Sequence, residues 1–167
     1  MPVPVLMLAL GFAFLLAGCD GVESLLPYDE AVDPPSAESS AMLAAVNALR
    51  AEERQCGSER FAPAPPLVWN GRLHSAADAH TDDMASHDHF DHIGTDGSTV
   101  GDRVSREGYE WSRVGENIAR GQQTIDEVVA DWAESAGHCA NLMNPSFAEF
   151  GAAEQEFYWT QVFGRPR

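Results

Sequence analysis

Histidines and carboxylates set the chemistry open to this chain of 167 residues. Five of its six histidines, His74, His80, His87, His89 and His92, fall between positions 74 and 92, and His138 follows alone. The densest stretch reads His87-Asp88-His89-Phe90-Asp91-His92. Imidazoles and carboxylates are donors that zinc takes while keeping a water in its fourth place. The same pair can pass a proton without any metal. On a solvated polar loop they do neither, and that is the preferred reading of His87 and His89. Other chemistries are closed. All ten basic residues are arginine, so neither a phosphate-gripping P-loop lysine nor a Schiff-base lysine exists. No G-x-S-x-G nucleophile turn is present.

These residues must be positioned by the surrounding elements. Ser39 and Ser40 are candidate caps for a helix whose apolar positions Met42, Ala45, Val46 and Leu49 have helical spacing. A loop rich in proline (Pro63, Pro65, Pro66) follows. Asn70 then caps a second helix with Leu73, Ala76, Ala77, His80 and Met84 on one face, which makes His80 a satisfied core histidine rather than a ligand. The stretch 86–99 is polar and rich in turns. A short helix is predicted over Val100–Glu107, ending before Gly108, and 109–121 reads as a loop. Thr124-Ile125-Asp126-Glu127 is a capping box for a helix that buries Ile125, Val128, Val129 and Trp132 and ends at Gly137. Asn144-Pro145 marks a turn, and β-like segments close the chain around 147–152 and 157–164. Helices first and strands last give an α+β layered domain. The four tryptophans read as core, and Asn117 and Gln161 as side chains that bond backbone.

Composition narrows the class further. With 26 acidic residues against ten basic, the net charge is −16 and the pI about 4.5. Such a surface does not suit nucleic acid, and strongly anionic partners are disfavoured. An apolar content of 44% is ordinary for a folded domain. Residues 1–18, MPVPVLMLALGFAFLLAG, carry no charged side chain, and their apolar run is too short to span a bilayer. The run ends in Leu16-Ala17-Gly18-Cys19, which resembles the lipobox of bacterial lipoproteins. That resemblance implies cleavage before Cys19 and acylation of its thiol and amine. Residues 20–40 are acidic and carry three prolines. They read as a tether of roughly 70 Å at full stretch, so the chain divides into a leader (1–18), an acylated cysteine with its tether (19–40) and a domain (41–167). By the same resemblance, Asp20 favours retention on the periplasmic face of the inner membrane. Export places Cys56 and Cys139 in an oxidising space where a disulfide is the natural pairing; two buried free thiols are the alternative.

Two family resemblances bear on the site. His87-x-His89-x-Asp91-His92 matches the H-x-H-x-D-H signature of the metallo-β-lactamase superfamily, which would imply a zinc-bound water as nucleophile. In that superfamily the motif follows an apolar strand, whereas 76–86 reads here as an amphipathic helix, so this is a remote alternative. The second resemblance covers residues 41–164. It runs through Pro66-Leu67-Val68-Trp69-Asn70, Ala76-Ala77-x-x-His80-x-x-Asp83-Met84-Ala85, Phe90-Asp91-His92, Gly115-Glu116-Asn117-Ile118-Ala119, Gly137-His138 and Tyr158-Trp159-Thr160-Gln161-Val162-Phe163-Gly164. This series is similar to the CAP superfamily (cysteine-rich secretory proteins, antigen 5 and pathogenesis-related class 1 proteins), above all its bacterial SCP-like branch.

The CAP resemblance implies an α-β-α sandwich with a central antiparallel sheet and an open cleft lined by His92, Glu116 and His138. Some members hold a divalent metal such as zinc there. The family's second glutamate, three residues after the helix tryptophan, is replaced by Ser135, with Glu134 beside it. On chemical grounds the trio can be a zinc shell, an acid/base pair or a structural brace around Glu116. The expected function is a non-enzymatic binding module for a lipid, a peptide or an envelope component. A metal-dependent hydrolase using the same three residues is the alternative.

Overall fold

The computed structural model describes Met1 and residues 34–167. The leader beyond Met1, Cys19 and most of the tether lie outside the described residues. Among those described, no helix is long and apolar enough to cross a membrane.

The first helix, α1 (Ala37–Arg50), starts earlier than the sequence suggests, because Ser36 rather than Ser39 or Ser40 is the cap and accepts from the Ser39 N–H. The end of the expected tether is therefore helical. The hairpin of β1 (Arg54–Cys56) and β2 (Glu59–Phe61) follows, then the two-residue β3 (Val68–Trp69). The helix α2 (Gly71–His87) forms where its cap and apolar stripe place it. Asn70 Oδ1 accepts from the N–H groups of Arg72 and Leu73, and all five stripe residues are buried. The short α3 (Val100–Arg106) is closed by a capping box of Thr99 and Asp102.

The largest departure from the sequence reading lies at 111–120. It is not a loop but the ten-residue strand β4 (Trp111–Arg120). Its polar composition conceals it: β4 is an edge strand, and only Ile118 and Val114 are β-branched. The helix predicted from Thr124 is two helices, α4 (Ile125–Glu134) and α5 (Ala136–Met143), broken at Ser135, whose backbone is extended. The closing strands are β5 (Glu149–Gln155) and β6 (Tyr158–Pro166).

The main sheet has the order β3-β5-β6-β4. β6 pairs antiparallel with both β4 and β5, while β3 joins β5 in parallel. Side chains alternate along β6 and so define three layers. Trp159 and Phe163 pack with α1, α4 and α5, together with Met42, Val46, Val128, Trp132 and Leu142. Tyr158 and Val162 face α2, meeting Met84 and Leu73. The α-β-α sandwich is therefore present as expected. Gly151 lets α2 lie directly on β5, since a Cβ there would run into the backbone of Leu73 and His74.

Two cross-links hold the α1/α4/α5 layer. Arg50 is fully buried and donates to the carbonyls of Pro65 (2.9 Å), Leu142 (2.6 Å) and Asn144 (3.1 Å). Burial alone lowers its pKa to about 10. Cys56 and Cys139 form the expected disulfide across 83 residues, joining the β1–β2 hairpin to α5. Trp69, Trp132 and Trp159 are core, whereas Trp111 is only half-buried.

Candidate site at the edge of β4

The site is built around one carboxylate. Glu116 lies in the middle of β4, opposite Val162 of β6, and its side chain is 2% exposed. Strand alternation turns it toward α2, on the same side of the sheet as Val114 and Ile118. A buried charge needs partners, and three side chains converge on it. Arg103 of α3, itself 5% exposed, donates from Nη2 to Oε2 at 2.6 Å. His92, from the 88–99 loop, donates from Nδ1 to Oε1 at 2.8 Å. His80 of α2 brings Nε2 to within 3.8 Å of the same oxygen.

Each partner is fixed in turn. Arg103 also donates to the carbonyls of Ser98 (2.8 Å) and His92 (3.1 Å), so one guanidinium holds both the loop and the strand. His80 Nε2 lies 3.0 Å from the Asp91 carbonyl. A carbonyl only accepts, so Nε2 carries the hydrogen. The loop is pinned further by Asp83, which accepts from the N–H and hydroxyl of Thr95. Asp88, in a left-handed conformation at the end of α2, takes Arg120 and the Tyr158 hydroxyl.

The helix α5 is strapped over the same strand by amides. Asn141 Nδ2 donates to the Glu116 carbonyl (3.0 Å) and to Asn117 Oδ1 (2.9 Å). Asn117 Nδ2 donates to the His138 carbonyl and to Gln161 Oε1. Asn117 thus bonds backbone as expected, whereas Gln161 bonds the Asn117 side chain and the Met42 sulfur. This clamp brings the half-buried His138 near enough to His92 for their charges to repel.

The three imidazoles differ electrostatically. The hydrogen bond to Glu116 raises the His92 pKa above 6.5, against the effect of burial. Burial, and then the charge of His92, lowers that of His138. Burial outweighs the Glu116 charge at His80 and lowers it too. The site therefore presents one imidazole inclined to carry a proton and one inclined to stay neutral. His92 is about half exposed, and its Nε2 makes no hydrogen bond to the described residues.

The sequence-derived ligand sets can now be placed. His92 and Glu116 are bonded directly and His138 is their neighbour, but Glu116 has both oxygens committed to Arg103 and His92. Among the described residues, no three His, Cys, Asp or Glu side chains are grouped as a metal ion requires. As arranged, Glu116 does not fit the role of zinc ligand. Glu134 is exposed at the end of α4 and Ser135 lies at the α4–α5 break, so neither adds a second carboxylate. His87, His89, Asp91 and His92 do not converge. His87 bonds the Asp83 carbonyl, His89 the Ile93 carbonyl, and Asp91 accepts from the Ile93 N–H. The metallo-β-lactamase reading falls on this geometry and on the fold.

Sequence reasoning missed Arg103 altogether. Its only signal is helical spacing beside Val100 and Val104, and a seven-residue helix with a second arginine at 106 does not say which one points inward. His80 is core as expected, with Nε2 on the Asp91 carbonyl and Nδ1 without a partner among the described residues.

A family model for the cysteine-rich secretory protein family, CAP, matches residues 43–163. The chain belongs to the CAP family. The protein YkwD of Bacillus subtilis, described as uncharacterized, is 34% identical over 131 residues, covering 77% of this CAP chain and 49% of YkwD. This chain therefore spans about half the length of that relative. Among solved structures, an extracellular SCP-domain protein of Bacillus anthracis superposes with a TM-score of 0.69 at 26% identity, over 77% of this chain and 40% of that one. An outer surface protein of Borrelia burgdorferi gives 0.68 at 16% identity, over 82% and 98% of the two chains. A cysteine-rich secretory protein of Staphylococcus aureus gives 0.57 at 16%, over 80% and 41%. The last two likenesses establish the CAP fold alone.

Proposed function

We propose that this CAP protein is exported to a bacterial cell envelope and there binds a lipid, a peptide or another envelope component at the β4 edge without turning it over. The engagement of Glu116 carries this reading. A carboxylate held on one oxygen by a buried guanidinium and on the other by an imidazole is a brace. It is neither a free general base nor an open metal ligand. It fixes His92 with Nε2 outward, beside a His138 held toward neutrality, and two imidazole edges in different protonation states suit a ligand with both donor and acceptor groups. The extracellular and outer-surface nature of the structural relatives, together with the disulfide, supports export. A lipid anchor at Cys19, favoured on the periplasmic face of the inner membrane, completes the proposal, and intact-mass analysis of the membrane fraction tests it.

Calorimetric zinc titration of the protein and of its His92→Ala/His138→Ala variant, paired with capture of envelope lipids and peptides in EDTA, tests the binding reading. Capture that survives chelation and is lost in the double variant is the expected result. Tight one-to-one zinc binding lost in that variant, with a chelator-sensitive hydrolysis, would instead establish the metal-dependent hydrolase.

A further inference from the structure

The edge of the sheet opposite β4 is covered for only two residues. β3 pairs with β5 at Glu149 and Phe150, after which Asn70 turns the chain into α2. Among the described residues, no strand lies along the outer side of 151–155. Backbone groups alternate in direction along a strand. The Asn70 N–H on the Phe150 carbonyl shows that those of Phe150, Ala152 and Glu154 face outward. His74 takes the Ala152 carbonyl, donating from Nδ1 at 2.8 Å. The N–H and carbonyl of the partly exposed Glu154 have no partner among the described residues.

Two adjoining cavities follow this edge. The smaller, about 130 Å3, is lined by Glu154, by Ala152, whose side chain joins the α1 layer, and by Ala153, whose side chain joins the α2 layer. A space reached from both faces of a strand lies off its edge. Met42 of α1 and His74 of α2 wall it on the two sides. The larger cavity, about 450 Å3, shares Ser36, Ser39 and His74 with the smaller and continues past Trp69 and Ser75 to Glu107. Neither lining includes a residue of the Glu116 cluster.

We infer that this cleft binds an extended, basic peptide of a partner protein, laid along the outer edge of β5 as an added strand and running on over His74 into the larger cavity. Three observations select that occupant. An outward N–H and carbonyl on a strand edge are what another strand pairs with, whereas a lipid tail satisfies neither. The charged residues lining the smaller cavity, Glu38 and Glu154, are both carboxylates, so the edge attracts a cationic chain and repels an anionic one. A second copy would bring a net charge of −16 to a surface of the same sign and set one acidic edge on another. The cleft lies across the sheet from β4, so this inference stands apart from the Glu116 reading.

The probe is an acetylated, amidated Thr-Arg-Val-Arg-Val-Thr peptide, titrated into the full chain in phosphocholine micelles and followed in 1H–15N spectra. Saturable shifts of the Glu154 and His74 amides are expected, with a Kd of about 1 mM or below. Hydrogen exchange at the Glu154 N–H should slow, while Ala153 and Gln155, whose N–H groups face β6, keep their rates. The fully N-methylated peptide, which cannot donate to a strand edge, should bind at least about tenfold more weakly, and so should the peptide with Glu in place of Arg. Ser75→Trp, an exposed position lining the larger cavity, should weaken binding by a similar factor with the spectrum still dispersed. No saturable shift with the arginine peptide would overturn the inference. So would unchanged binding of either altered peptide or of Ser75→Trp, or shifts confined to His92, Glu116 and His138, which would place the peptide at the Glu116 site. A Glu154 shift produced by raising the protein concentration alone would make the edge a contact between copies and overturn the inference as well.

Discussion

Arg103→Met is the most informative single change. Met keeps an unbranched apolar stem but no guanidinium, so the 2%-exposed Glu116 carboxylate loses its 2.6 Å partner and keeps His92 at 2.8 Å and His80 at 3.8 Å. The carbonyls of Ser98 and His92 lose a donor at the same time. Removing one member of a buried ion pair costs about 3–5 kcal/mol, because the remaining charge stays out of water. For a domain of this size that is a fall in Tm of about 10–20 °C. Pairing it with Glu116→Gln tests the cause. The double variant should be less damaged than the sum of the singles, with a coupling of about 1–3 kcal/mol. Urea unfolding of the four proteins measures the cycle. A loss below about 1 kcal/mol in Arg103→Met is what an exposed pair would give, and with additive singles it would refute the brace.

Three further outcomes follow from the same structure. Replacing Cys56 and Cys139 by alanine should cost up to roughly 4–5 kcal/mol, the chain-entropy value for a loop of this length, read as a lower urea midpoint that reductant no longer moves. Gly151→Ala should destabilise by about 1–3 kcal/mol or more, because its Cβ meets the α2 backbone rather than a movable side chain; thermal unfolding measures it. In NMR titrations His92 should have a midpoint above 6.5 that falls in Glu116→Gln, and His80 one below 6.5. The linkage signs oppose each other. The His92 contribution is present below pH 6.5 and lost as pH rises through its raised value. The His80 contribution is full above 6.5 and lost as pH falls toward its lowered value.

Residues that obey a local rule were legible in the sequence. Asn70 and Thr124 announce their helices because an N-cap acts on backbone two or three residues away, and the apolar stripe of α2 survives intact as its buried face. Cys56 and Cys139 could be paired because only two thiols remained. Glu116, His92 and His138 were named through resemblance; of these, the structure bonds His92 to Glu116. What stayed hidden depends on long-range partners. Strand β4 has few strand-forming residues and is held by pairing to β6, 38 to 55 positions away. Arg50 and Arg103 look like surface residues until the carbonyls and the carboxylate that surround them are known. The commitment of Glu116 could not be seen without Arg103.

The strand order carries a consequence for synthesis. β6 follows every other strand in sequence and sits between β5 and β4 at the centre of the sheet. Until it emerges, β4 has no strand to pair with, and Trp159, Val162 and Phe163 are missing from the two packed layers. A nascent domain of this topology stays open until β6 has been made, after every other element of the sheet. The order of the strands thus sets the order of events: the two helical layers cannot close on the sheet until its central strand arrives.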